Sequence, residues 1–213
     1  MNSIRTKKHW PRAPLSITCV FAILTAALSM DFSAQPHRIP TRAEMADRVR
    51  DTFDSLKVNP PAGKRLPPGT TVRISQDEMN AYVTEEFHKK PNPGLKSIFV
   101  RFLNGDQVAG DAVVDVDQLK TDNSTLLKLV TLVFSGDQAM HTEAKLFFNN
   151  NALTYEIQRA QLNNISLPAM LVQKIIEVLA RKQTNKIDVS KPIPYSPTIK
   201  HIEIREGLLL IQT

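Results

Sequence analysis

Three aspartates, Asp111, Asp115 and Asp117, share the odd positions of one strand-like run, with Asp106 and Asp122 near its ends. Side chains at alternate strand positions point to the same face. Such a face could gather carboxylates around calcium or supply a general acid–base pair. It could equally be a solvated face that discourages edge-to-edge pairing, and the rest of the chain favours that reading. The five histidines, His9, His37, His88, His141 and His201, have no helical or strand spacing to one another. His141 and His201 fall on the polar phase of their strands, so no metal site is expected from them. Seven glycines do not make a phosphate-cradling loop, and no serine stands in a Gly-x-Ser-x-Gly elbow. The residues therefore point away from an enzyme and from any cofactor; a hydrolase built on the aspartate face is the weakest reading.

The elements that carry these residues follow from periodicity. Thr41 and Glu44 form a capping box that opens a helix to about Lys57, with Met45, Val49, Phe53 and Leu56 on one stripe. Residues 59–69 hold four prolines and two glycines and read as an extended linker. Thr70 to Ile74 reads as a strand, and Ser75 with Glu78 caps a second helix to about Lys89, with Met79, Tyr82, Val83 and Phe87 on its apolar side. Three hairpins are expected. In the first, a three-residue loop Leu103-Asn104-Gly105 brings Val100 opposite Val108, with Ile98, Val100 and Phe102 facing Val108, Ala112, Val114 and Val116. In the second, an Asn150-Asn151 turn pairs Phe148 with Leu153 and Leu146 with Tyr155, and the apolar phase slips near Arg159, as a bulge would make it. The third turns at Glu206-Gly207 and pairs Ile204 with Leu209 and Ile202 with Ile211. Residues 126–134 read as a short helix capped by Ser124 or as a buried strand. Pro168 opens a longer helix to about Lys182, whose apolar residues cover more than half its circumference, as in a helix that is wrapped.

At the N-terminus, Arg5, Lys7, Lys8 and Arg12 precede eighteen uncharged residues, Ala13 to Met30. A basic region followed by an apolar run is the secretory pattern. Small residues for cleavage follow at Ala27-Leu28-Ser29 or Phe32-Ser33-Ala34, and the run is also just long enough for an uncleaved anchor. Cys19, the one cysteine, lies inside it, so the exported part has no thiol, disulfide or thiolate metal site. The formal charge of +6 shrinks once the four basic residues of this segment are set aside, leaving 23 bases against 21 acids. That balance makes no case for nucleic acid. Lys89-Lys90 and Arg181-Lys182 sit at helix C-termini, where cations suit the dipole, and leave room only for a transient contact with an anionic membrane surface.

The order of segments resembles a known group. The run Ile74-Ser75-Gln76-Asp77-Glu78-Met79-Asn80-Ala81-Tyr82 is similar to the opening of small bacterial envelope proteins with a one-lobed tubular lipid-binding (TULIP-like) fold. The stretches Leu132-Val133-Phe134-Ser135-Gly136 and Ile165-Ser166-Leu167-Pro168 resemble that group too, so the likeness covers residues 70–213. It implies an α+β domain in which a strongly curved antiparallel sheet of about seven strands wraps a long helix, with acyl chains between them. It carries over no individual site and does not explain the helix at 41–57 or the proline linker. Residues 1–30 are then the signal or anchor, 31–69 the added helix and linker, and 70–213 the domain. Laid on this chain's own apolar faces, that mode of binding nominates Ile98, Val100, Phe102, Val114, Leu146, Phe148, Tyr155, Leu171, Ile175 and Leu179 as ligand contacts. The expectation is an exported, non-catalytic periplasmic or envelope protein that binds or carries a lipid or similar apolar molecule. The alternative is an envelope interaction module with a filled core, its 41–57 helix free to dock a protein partner.

Overall fold

The computed structural model describes residues 39–121, 125–181 and 188–213. The expected signal segment, the expected cap Ser124 and Asp122 lie outside them. The described chain is α+β, with four α-helices, a 3-10 helix and antiparallel sheets. The helices are α1 (Arg42–Ser55), α2 (Gln76–Lys89), α3 (Thr125–Val133) and α4 (Ala169–Arg181), and the 3-10 turn is Val116–Thr121. Strands β1 (Thr71–Ser75), β8 (His201–Arg205) and β9 (Leu208–Gln212) make one sheet, with β9 in the centre. Strands β2 (Leu95–Leu103), β3 (Gln107–Asp115), β4 (Asp137–Asn149), β5 (Ala152–Leu162) and β6 (Ile165–Ser166) follow in sequence order in the other. The short β7 (Ile193–Pro194) joins that sheet at Ala152 and Leu153 of β5. The strands thus fall into two sheets, of three and six, rather than one sheet of about seven.

Local chemistry explains most of the boundaries. Both expected capping boxes are formed: Thr41 and Ser75 accept from the backbone N–H of Glu44 and Glu78, whose carboxylates reach back to the cap residues' own N–H groups. Several residues of the 74–82 run have a defined place. Ile74 and Met79 are buried, Tyr82 meets Phe53 of α1 edge-on at 5.0 Å, and Gln76 accepts from Phe102 N–H. Asn80 does the most: its carboxamide donates to Val100 C=O at 2.8 Å and accepts from Val100 N–H at 2.7 Å. It gives the outer edge of β2 the partner that a further strand would have supplied.

The registers of the second and third hairpins are as expected, with Phe148 opposite Leu153, Leu146 opposite Tyr155, Ile204 opposite Leu209 and Ile202 opposite Ile211. Asn150 and Asn151 both take positive φ, 51° and 56°. The ladder slips between Glu143–Arg159 and Ala144–Ile157, next to the expected bulge. The first hairpin is shifted. Its loop has three residues, but they are Asn104-Gly105-Asp106, so Phe102 meets Val108 and Val100 meets Gly110. Asp106 takes a left-handed φ of 59° because its carboxylate accepts from Ile204 N–H and its carbonyl from Leu146 N–H, which ties the two sheets together. A second Asn-Asn pair, Asn163 and Asn164 at positive φ, turns β5 into β6; the signal was the same as at 150–151. The 126–134 segment is helical.

Helix α1 is part of this core rather than a separate arm. Ala46, Val49, Phe53 and Leu56 are buried in one cluster with α2 and the three-stranded sheet. The linker returns to the fold as well: Gly69 N–H donates to Thr213 C=O, and Leu66 packs on the same cluster.

Candidate functional site

The core face of the six-stranded sheet supports two clusters. The first holds Val100, Phe102, Val108, Ala144, Leu146 and Leu153 against α1, α2 and the three-stranded sheet. The second holds Leu95, Val114, Val116, Leu119, Met140 and Leu162 beneath Leu127 and Val130 of α3 and Ile175, Val178 and Leu179 of α4. A row of small side chains lies between them across the ladder, Gly110, Thr142 and Ala160. The Thr142 hydroxyl is buried there with no described hydrogen-bond partner.

The ten residues nominated from sequence do not gather in one place. Val100, Phe102 and Leu146 belong to the first cluster, with Phe148 and Tyr155 packed on its margin. Val114, Ile175 and Leu179 belong to the second, with Leu171 on its margin, and Ile98 touches both. Burial pushes the Tyr155 phenol up to about 12, helped by the charge of Glu177 on α4, so it is neutral at ordinary pH. Sequence reasoning nominated none of Leu95, Leu119, Leu127, Val130, Met140 or Val178. The stripe Leu127–Val130 was readable, whereas Leu119 sits in a 3-10 turn that no periodicity announces.

The two clusters differ in chemistry. The first contains Phe53, Tyr82 and Phe102, which pack in defined orientations. The eleven buried residues of the second are aliphatic apart from Met140, with Phe87 and Phe134 packed at its margin. The apolar α3 and the amphipathic α4 cover it. The C-terminal turn of α4 is held by Asn92, whose carboxamide donates to Leu179 C=O at 2.8 Å and accepts from Gly94 N–H at 2.9 Å. Gly94 approaches so closely that a Cβ there would stand 2.7 Å from a Leu179 methyl.

The opposite face of the sheet is mixed, with exposed Phe99 beside charged side chains. An open groove of about 410 Å³ crosses it, lined by Phe99, Val113, Ala139, His141, Gln161 and Asn164 among others. Beside it runs a ladder of alternating charge. Arg101 lies 3.0 Å from Asp111, His141 Nδ1 is 2.7 Å from Asp111 and its Nε2 3.1 Å from Glu143, and Arg159 is 3.7 Å from Glu143. Burial pulls the His141 imidazolium down, but its bonds to Glu143 and Asp111 outweigh that and raise its pKa above the usual value. When protonated, His141 donates to a carboxylate from each ring nitrogen.

The aspartates are likewise committed to the fold. Asp111 is held by Arg101 and His141, and Asp115 pairs with Lys96 at 3.5 Å while accepting from Asp117 N–H. Asp117 is not on the strand at all, because β3 ends at Asp115. It accepts from Gly136 N–H and pairs with Lys120, which together lower its pKa. Among the described residues no three His, Cys, Asp or Glu side chains are grouped to hold a metal ion. None of the described helices is long and apolar enough to cross a membrane. Comparison of the chain with protein-family models and with curated proteins finds no match.

Proposed function

We propose that this is an exported, non-catalytic lipid-handling protein of the cell envelope, of the one-lobed tubular lipid-binding type. In this reading the six-stranded sheet bends around α4, and an acyl chain or similar apolar molecule is taken into the second cluster between the sheet, α3 and α4. The observation that carries it is the composition of that cluster: eleven buried side chains, all aliphatic or methionine, under the apolar α3 and the apolar face of α4. Aliphatic side chains accept a hydrocarbon chain without leaving a polar group unpaired, and Met140 adds one that adapts its shape. The basic and then uncharged N-terminal segment supports export.

A second reading is an interaction or scaffold module with a filled core. It is favoured by Val114, Leu127 and Ile175, which have no accessible surface, so no water-sized void touches them. A partner for α1 would then use its outer face, since its apolar stripe is buried.

Native mass spectrometry of the protein recovered from the envelope fraction separates the two. The lipid reading expects a co-purifying lipid that is lost in a still-folded Ile175→Trp variant. A lipid-free parent that takes up no fatty acid or phospholipid, with Ile175→Trp destabilised by the about 1–3 kcal/mol or more of an overpacked core, would leave the scaffold reading.

A further inference from the structure

Helix α3 is apolar on two sides. Leu127 and Val130 point into the second cluster, while Leu129, Leu132 and Val133 are 57%, 81% and 72% exposed. The exposed three stand at i, i+3 and i+4 and so form one face. The only charge on the helix is the exposed Lys128, and no acid accompanies it. A helix apolar all round belongs in an apolar surround on both sides, yet among the described residues only the inner side has one.

We propose that the outer face of α3, formed by Leu129, Leu132 and Val133 with Lys128 at its margin, is a membrane-docking surface that inserts into the acyl boundary of an anionic bilayer. Three features select lipid over a second protein. The face consists of aliphatic side chains, without the Trp, Tyr or Arg that anchor protein interfaces. Three side chains on one short helix are far from the roughly 800 Å² per partner of a standard protein interface, whereas a bilayer needs no matching shape. Its one charge is a cation, which complements anionic head groups. The chain before the structure fits the same placement. The uncharged run ends at Met30 and the described chain starts at Ile39; the eight residues between reach at most about 30 Å. If the run stays in a bilayer, the start of α1 is held within that distance of its surface. The inference rests on the lipid-handling reading for its purpose, since docking through α3 would bring the roof of the aliphatic cluster to the source of lipid.

The test uses the full chain in vesicles, with Cys19→Ser so that a single introduced thiol carries an environment-sensitive fluorophore. The label is placed at Leu132→Cys or, as a control, at the exposed Glu206→Cys. In phosphatidylglycerol-containing vesicles with brominated acyl chains, the label at 132 is expected to be quenched and the label at 206 not. Leu129→Asp should weaken docking by about tenfold or more, the loss expected when a charge replaces a buried aliphatic side chain, and Lys128→Glu should abolish the preference for anionic lipid. These are surface positions, so the variants should fold. Equal quenching at both sites, or none at 132, overturns the proposal. A blue shift at 132 that grows with protein concentration in the absence of vesicles also overturns it, in favour of a second copy of the chain. Native mass spectrometry on Leu129→Asp keeps the two claims apart. Docking lost with lipid still bound would break only the link between them, whereas docking intact on a chain that never holds lipid would sink the carrier reading alone.

Discussion

The two halves of the core are built by different means. Around the first cluster the specification is local and polar as well as apolar. Two capping boxes start α1 and α2, an aromatic pair joins them, and Asn80 and Gln76 satisfy the backbone of β2. Around the second, polar bonds lie at the ends of the elements: Asn92 holds one end of α4 and Asp117 ties the 3-10 turn to Gly136, while the buried contacts of α3 and α4 with the sheet are mainly aliphatic. A region held by directed bonds has one good arrangement, while one held by interchangeable methyl groups has many of similar energy. Adaptability is therefore to be sought in the second half, where the proposed lipid would enter, and rigidity in the first.

The largest expected effect tests that contrast directly. Asn80→Ala leaves the N–H and C=O of Val100 buried without a partner, and should cost about 2–4 kcal/mol in urea denaturation. Asn92→Ala removes the bonds to the helix-end carbonyl of Leu179 and from Gly94 N–H; water can replace the first once the end frays, so about 1–2 kcal/mol is expected. Hydrogen exchange should show the second loss concentrated in α3 and α4, with α1 and α2 still protected. Uniform loss of protection in both variants would mean that the halves open as one unit and that the comparison fails.

How much of this was legible depends on what each half uses. Capping boxes, Asn-Asn turns and strand alternation are local signals, so the elements of the first half, and the registers at 148–153 and 204–209, could be read directly. The first hairpin was misplaced by one loop residue because Asp106 answers to Ile204, 98 residues on, and to Leu146 on β4, partners that no local signal announces. The candidate site was less legible. Apolar faces could be found, but alternation along a strand cannot tell which cluster each end of that face joins. Val100 and Val114 lie on the same sheet face and still belong to different clusters. The division is set by the small row at Gly110, Thr142 and Ala160, which only the cross-strand register brings together.

That seam gives the next prediction, of smaller size and opposite sign. The buried Thr142 hydroxyl has no described partner, so Thr142→Val exchanges an unpaired polar group for a methyl of similar shape and should stabilise the protein by about 1 kcal/mol. If the hydroxyl instead meets a polar group of a guest lipid, the same variant should hold less lipid in native mass spectrometry while melting higher. A destabilised Thr142→Val would show that the hydroxyl is satisfied in solution and would remove the seam from the account.

The smallest effect is expected on the opposite face of the sheet. His141 is faced by Asp111 and Glu143, with Arg101 and Arg159 beyond them, and its pKa is raised in the folded state. A raised folded value means that the imidazolium stabilises the fold fully below the unfolded pKa of about 6.5. That contribution is then lost as pH rises through the folded value. The parent should therefore weaken as pH climbs from about 6.5, and His141→Gln should flatten the profile. Because the ladder is partly solvated and competing cations flank it, the change should stay below about 1 kcal/mol. Denaturation midpoints at several pH values between 6 and 8 would measure it. The sharper reading lies in where the change appears. His141 follows Met140, whose side chain enters the second cluster from the other face. If deprotonation loosens α3 and α4 in hydrogen exchange while α1 and α2 stay protected, the charge ladder braces the adaptable half from behind. A pH profile identical in parent and variant would show that the ladder contributes nothing measurable, and the second half would then rest on its aliphatic contacts and the bonds of Asn92 and Asp117.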